Sequence, residues 1–136
     1  MKPYIRKVNY YETDMMGIVH HSNYIRWLEE ARIDIMEQVK APYKMLEDSG
    51  ISIPVVSVSC EYKQVVKFGE TVRIETKIEV FTGVRLEISY EVFSEETGEL
   101  CTTARTTHCF VSASGRPISL KRVSEFFYDK FIEMQG

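Results

Sequence analysis

From Val56 to Val111 apolar and polar residues alternate with a period of two, broken only at glycine-bearing connections, and a single segment of helical period comes before them. Val56, Val58, Cys60 and Tyr62 alternate with Ser57, Ser59, Glu61 and Lys63. Val72, Ile74, Thr76, Ile78 and Val80 alternate with Arg73, Glu75, Lys77 and Glu79. After Thr82-Gly83 the pattern returns in Val84, Leu86, Ile88, Tyr90 and Val92, and after Glu95-Glu96-Thr97-Gly98 it runs from Leu100 to Val111. Successive strand side chains point to opposite faces, so this pattern predicts half-buried antiparallel strands joined by short hairpins.

The helical segment starts at Asn23. Tyr24, Trp27, Leu28, Ala31, Ile35 and Val39 fall at three- and four-residue steps on one stripe, while Glu29, Glu30, Arg32, Asp34 and Glu37 lie largely elsewhere. About 16 residues make a helix of roughly 24 Å. Tyr4 to Tyr10 reads as a short first strand, and residues 11–22, which contain Gly17, as a loop. Pro42 and Gly50 mark the exit from the helix, and Gly115-Arg116-Pro117 breaks the chain near its end. Val123, Phe126, Phe127, Phe131 and Met134 predict a C-terminal helix with an aromatic stripe. The order is β–α–β–β–β–β–α. The first helix needs an apolar surface, and the sheet offers the only one. The expected fold is therefore α+β: an antiparallel sheet of about five strands wrapped around one central helix, with a C-terminal helix, in one domain spanning residues 1–136.

A chain of 136 residues fits one core. Its net charge of −3 argues against a nucleic-acid partner, since phosphate-backbone binders carry a basic excess. No apolar run approaches the roughly 20 residues of a membrane span, and Met1 to Lys7 lacks the apolar stretch of a signal peptide. The three cysteines, Cys60, Cys101 and Cys109, are odd in number and without C-x-x-C spacing. They are expected to serve as packing, with inert thiols, in a reducing compartment, which makes the cytoplasm the expected location.

Polar residues gather just before the helix: Glu12, Asp14, His20, His21, Ser22 and Asn23. A helix N-terminus presents free N–H groups and the positive end of the helix dipole, so it can polarise a carbonyl oxygen. Gly17 allows a sharp turn or a close approach there. Each residue also has a plainer reading. Ser22 or Asn23 is the expected N-cap, Glu12 a solvated loop carboxylate, and Asp14, taken alone, a turn residue. His20 and His21, as neighbours, are expected to point in different directions and so make a poor metal site. His108 reads as a packed or edge histidine. There is no G-x-S-x-G elbow and no glycine-rich phosphate loop, which leaves carboxylate chemistry as the strongest enzymatic option.

The segment from Val8 to Arg32 carries T-D-x-x-G-x-V-x-H-x-N-Y-x-R-W followed by E-x-A-R. It resembles the hotdog-fold acyl-CoA thioesterases, specifically the 4-hydroxybenzoyl-CoA thioesterase-like family. The resemblance implies a helix enclosed by an antiparallel sheet and hydrolysis of acyl-CoA thioesters. It matches the family's catalytic carboxylate, nucleophile or general base, to Asp14. It matches the amide that polarises the thioester to the backbone N–H of His21, and the motif positions that shape loop and pocket to Gly17, His20, Asn23 and Tyr24. Neither a metal nor a separate cofactor is implied, because coenzyme A is part of the substrate; an acyl carrier protein could replace it. Lys63, Lys67, Arg85, Arg105, Arg116 and Lys121 are candidates for the coenzyme phosphates.

Two other readings compete. A hotdog-fold dehydratase would pair His20 or His21 with Glu29, and a non-catalytic acyl-CoA-binding module would keep the pocket alone. Open sheet edges without blocking proline, together with the resemblance, lead us to expect a homodimer with the site at or beside the subunit boundary, or a dimer of dimers forming a homotetramer.

Overall fold

The computed structural model describes residues 1–136. Strand β1 (Tyr4–Lys7) is followed by a single 3-10 turn at Tyr10–Glu12 and then by helix α1 (Ser22–Gln38). Next come α2 (Tyr43–Asp48), β2 (Ile51–Ser52), β3 (Val55–Tyr62), β4 (Thr71–Phe81), β5 (Arg85–Ser94), β6 (Leu100–Cys109) and β7 (Val111–Ser112). The chain closes with α3 (Leu120–Val123) and α4 (Glu125–Gln135). Five strands form one antiparallel sheet in the order β1-β4-β5-β6-β3, and β2 pairs with β7 in a separate ribbon.

The stripe predicted for α1 is the buried one. Tyr24, Trp27, Leu28, Ala31 and Ile35 are all buried, as is Val39 just past the helix, and they pack with Val72, Ile74, Leu86, Ile88, Tyr90 and Val92 of the sheet. Thr76, Tyr90, Ala104 and Cys60 stand in one row across β4, β5, β6 and β3. Thr82 and Gly83 turn β4 into β5: the Thr82 hydroxyl accepts from the amides of Val84 and Arg85, and Gly83 has φ +88°. Burial pushes the Cys60 and Cys101 thiols up, consistent with packing rather than reactive cysteines.

Four expectations need correction. The first strand ends at Lys7, because the Asn9 amide donates to the Glu12 carboxylate at 2.8 Å and draws the chain into the 3-10 turn. In β4 the register shifts between Ile78 and Val80, so Phe81 rather than Val80 is buried; a bulge adds one residue and reverses the face. The last strand stops at Cys109, where the buried Phe110 turns into the core. The C-terminal helix is two pieces, since Ser124 is extended and its hydroxyl accepts the Phe127 amide at 3.3 Å as the cap of α4. Of its predicted stripe, Phe127, Phe131 and Met134 are buried, Phe131 against Phe81 and Phe110, while Val123 and Phe126 face outward. Helix α2, β2 and β7 are too short to show a period in the sequence.

His108 is packed, as expected, at 2% exposure. Its Nε2 lies 2.8 Å from the Thr106 hydroxyl, which lies 2.6 Å from that of Tyr90, and Arg32 donates to Tyr90 at 3.2 Å. Burial, and then the positive charge of Arg32, push the His108 pKa down from 6.5 to about 4. The unfolded chain therefore binds a proton near pH 6.5 that the folded chain refuses until near pH 4, so stability falls as pH falls through that window. Between pH 7.5 and 5, above most carboxylate titrations, the loss should be about 2 kcal/mol. Denaturant midpoints measured across that range should fall in the native chain and fall much less in His108→Gln.

Candidate active site

The loop between the 3-10 turn and α1 is held by its own backbone. The Asp14 amide donates to the Ile18 carbonyl at 2.8 Å, and the Gly17 amide to the Asp14 carbonyl at 3.0 Å. Gly17 has φ +78° with nothing within 4 Å of where a Cβ would lie, so its backbone conformation, not close packing, calls for glycine. Thr13 bridges to Val19, and the Val19 amide donates to the Val66 carbonyl at 2.8 Å, which fastens the loop to the segment after β3.

Within this loop the Asp14 carboxylate is held by one oxygen. Oδ1 accepts the Met16 amide at 2.8 Å and the Ile18 amide at 3.4 Å, and Oδ2 has no protein donor. Asp14 is thus the turn residue the plainer reading expected, and one of its oxygens is still open. Together with Ile18, His20, His21, Tyr24, Tyr62 and Lys63, it lines a cleft of about 290 Å³.

The start of α1 has an open donor at His21. The Ser22 amide donates to His20 Nδ1 at 3.2 Å, the Asn23 amide to the His20 carbonyl at 3.0 Å and the Tyr24 amide to the His21 carbonyl at 3.2 Å. The amide of His21 has no protein acceptor. His21 itself occupies the N-cap position, with φ −56°. Neither Ser22 nor Asn23 is the cap, because each side chain is engaged elsewhere. The Ser22 hydroxyl lies 2.8 Å from His20 Nδ1, and Asn23 Nδ2 donates to the Glu12 carbonyl at 2.8 Å. The two histidine rings do not diverge either; they stack at 4.3 Å between centroids.

Tyr24 forms the floor of the cleft, 5.0 Å from Tyr62 and 4.9 Å from Trp27 between ring centroids. Burial pushes its hydroxyl up to about 12, so it stays protonated. Of the six candidate phosphate-binding residues only Lys63 lines the cleft. Lys67 sits beside it through a backbone bridge to Ile18, and Arg85 and Arg105 pair with Glu87. Lys121 lies over the Tyr128 ring.

Glu12 is the main site residue that the sequence reading placed wrongly. It is 3% exposed, not solvated. Burial raises its pKa, but bonds from Arg6, the Asn9 amide and Trp27 outweigh burial and hold the carboxyl below its ordinary value. The signal was Trp27, whose indole N–H must find an acceptor once the ring is buried.

A second cavity of about 270 Å³ lies by the opposite end of β3, lined mainly by apolar residues such as Ile25, Met36, Ile53, Val55 and Leu86, with Glu29, Arg32 and His108. It shares no lining residue with the Asp14 cleft.

A helix packed on a five-stranded antiparallel sheet, with a carboxylate and an open amide at the helix start, defines a class. Residues 8–131 match the model of the thioesterase-like superfamily, and the chain belongs to that family. A DHNA-CoA thioesterase from Staphylococcus aureus has the same fold, with a TM-score of 0.93 at 31% identity over 98% of this chain and 90% of that one. An Aquifex aeolicus protein provisionally named an esterase is 35% identical over 93% of this chain and 97% of its own. The Bacillus subtilis protein YneP, provisionally named an acyl-CoA thioesterase, is 34% identical over 85% of this chain and 84% of its own. The hotdog fold expected from the motif is the fold found.

Proposed function

We propose that the chain hydrolyses acyl-CoA thioesters to free acid and coenzyme A, with Asp14 as nucleophile or general base and the His21 amide as the oxyanion donor. The observation that carries this reading is the pairing, in one cleft, of a carboxylate oxygen without a protein donor and a helix-start amide without a protein acceptor. As base, Asp14 takes a proton from water while the water oxygen adds to the thioester carbon. The carbonyl oxygen gains negative charge and accepts the His21 N–H; collapse then expels the coenzyme thiolate, which is protonated to the thiol. As nucleophile, Asp14 forms an acyl anhydride and releases the same thiol, and water then cleaves the anhydride. Both routes use the same two groups, and neither needs a third.

The dehydratase reading is less well supported. Within one chain His20 and His21 line the Asp14 cleft and Glu29 lines the other cavity, so an acid–histidine pair needs the Glu29 of a second copy, whereas the T-D-x-x-G-x-V-x-H-x-N pattern favours hydrolysis. Release of free thiol from a series of short, medium, long and aromatic acyl-CoAs tests the hydrolase reading, and a 3-hydroxyacyl-CoA that yields free thiol but no enoyl product separates it from dehydration.

A dimer completes the proposal. Strand β3 is an open edge of the sheet, and Val56, Val58 and Tyr62 on it are exposed at 66%, 40% and 50%. The Tyr62 end of β3 borders the Asp14 cleft and the Val55 end borders the apolar cavity. Pairing β3 antiparallel with its copy about a twofold axis sets one end against the other, so each cleft meets the partner's apolar cavity, a fitting place for the acyl group. Light scattering during size exclusion should give at least a dimer, with pairing of two dimers as the next step. A fully active monomer at assay dilution would contradict the shared site.

A further inference from the structure

We infer that Glu12 is a positioning residue for the Asp14–His21 pair, an inference that rests on the functional reading above. Its carboxylate is fully used. Oε1 accepts Arg6 Nη1 and the Asn9 amide, and Oε2 accepts Trp27 Nε1 at 2.8 Å. These bonds tie the start of the loop to β1 through Arg6 and to the buried face of α1 through Trp27, which is wholly buried. Arg6 lies 5.1 Å over the Trp27 ring and pairs also with Glu30 at 2.8 Å, so its own position is set from two sides.

The backbone of Glu12 holds the other end of the loop. Its carbonyl accepts the His20 amide at 2.9 Å and Asn23 Nδ2 at 2.8 Å. One residue thus fastens both ends of a loop that carries Asp14 two positions after it and delivers His21 one position after His20. A carboxylate and an amide that act on opposite sides of one carbonyl carbon must keep their separation closely, since an error of about 1 Å costs on the order of 10²-fold in rate. Glu12 touches neither the cleft nor the reacting atoms; it acts through where it places them.

Glutamine is the informative replacement. A carboxylate accepts at both oxygens, whereas an amide must turn its NH2 toward either the Arg6 and Asn9 donors or the Trp27 donor. Either orientation sets donor against donor and loosens one attachment. Glu12→Gln should therefore lower kcat by about 10-fold or more, short of the roughly 10²-fold of a full misplacement, while KM changes less than about threefold because the pocket walls remain.

Amide hydrogen exchange gives a second readout, independent of turnover. In Glu12→Gln the Met16, Ile18 and His20 amides should exchange faster while those of β4 and β5 stay as protected as in the native chain. Glu12→Gln combined with Trp27→Phe removes the opposed donor and should restore part of kcat relative to Glu12→Gln alone. Unchanged kcat and loop exchange in Glu12→Gln would overturn the proposal. So would a lowered kcat accompanied by equally faster exchange throughout the sheet, since that marks a residue needed only for folding. If the native chain releases no thiol, the functional reading fails on its own, and loop exchange still decides whether Glu12 fixes the loop.

Discussion

Replacing Asp14 by Asn should lower thiol release by about 10²-fold or more while leaving the fold intact. The substitution is clean at this position. Asparagine keeps an oxygen to accept the Met16 and Ile18 amides, so the turn survives. Its NH2 takes the place of Oδ2, which faces no protein donor, so no opposed pair is created. What disappears is the negative charge that attacks the thioester carbon or takes the proton from water, and no other carboxylate of the same chain lines the cleft. The check is kcat beside the thermal midpoint of the same preparation: rate lost, midpoint held. Turnover near the native rate would remove Asp14 from the mechanism.

The second large effect is expected at His21, where proline and alanine should part company. His21→Ala keeps the peptide N–H and should retain a substantial part of the activity. His21→Pro removes it, and loss of one oxyanion donor costs about 10²–10³-fold in other acyl-transfer enzymes. Proline is tolerable here for two reasons. The native φ of −56° is already close to that of a proline ring, and the N–H it removes bonds to nothing in the protein. Circular dichroism and the melting transition establish that the proline variant is folded, including the restriction proline places on His20. Equal and total loss in both variants would assign the role to the imidazole instead.

Much of this site was legible before the structure. The α1 stripe from Tyr24 to Val39 buries as its period requires, because a 3.6-residue pattern leaves little choice of face. The same holds for Leu86, Ile88, Tyr90 and Val92 in β5. Asp14 and the start of α1 were placed together by the motif and by the reach of a short loop. The errors fall where long-range partners decide. Glu12 looked like a loop carboxylate because its partners, Arg6 and Trp27, lie six and fifteen positions away. Asn23 looked like a cap, yet its amide side chain reaches back to Glu12 instead. Val80 changed places with Phe81 because a bulge is a property of paired strands, not of one strand's sequence. The His21 amide was pointed to by the motif alone; that it lacks a protein acceptor emerges only once the donors beside it are traced to theirs.

The most direct test of the whole account is a single assay of coenzyme A thiol release, run on the native chain and Asp14→Asn side by side across short, medium, long and aromatic acyl-CoAs. The account predicts stoichiometric thiol and free acid from at least one substrate with the native chain, and a rate lower by about 10²-fold or more with the variant on that same substrate. Thiol release at equal rates from both proteins, or binding of acyl-CoA with no thiol released by the native chain, would contradict it.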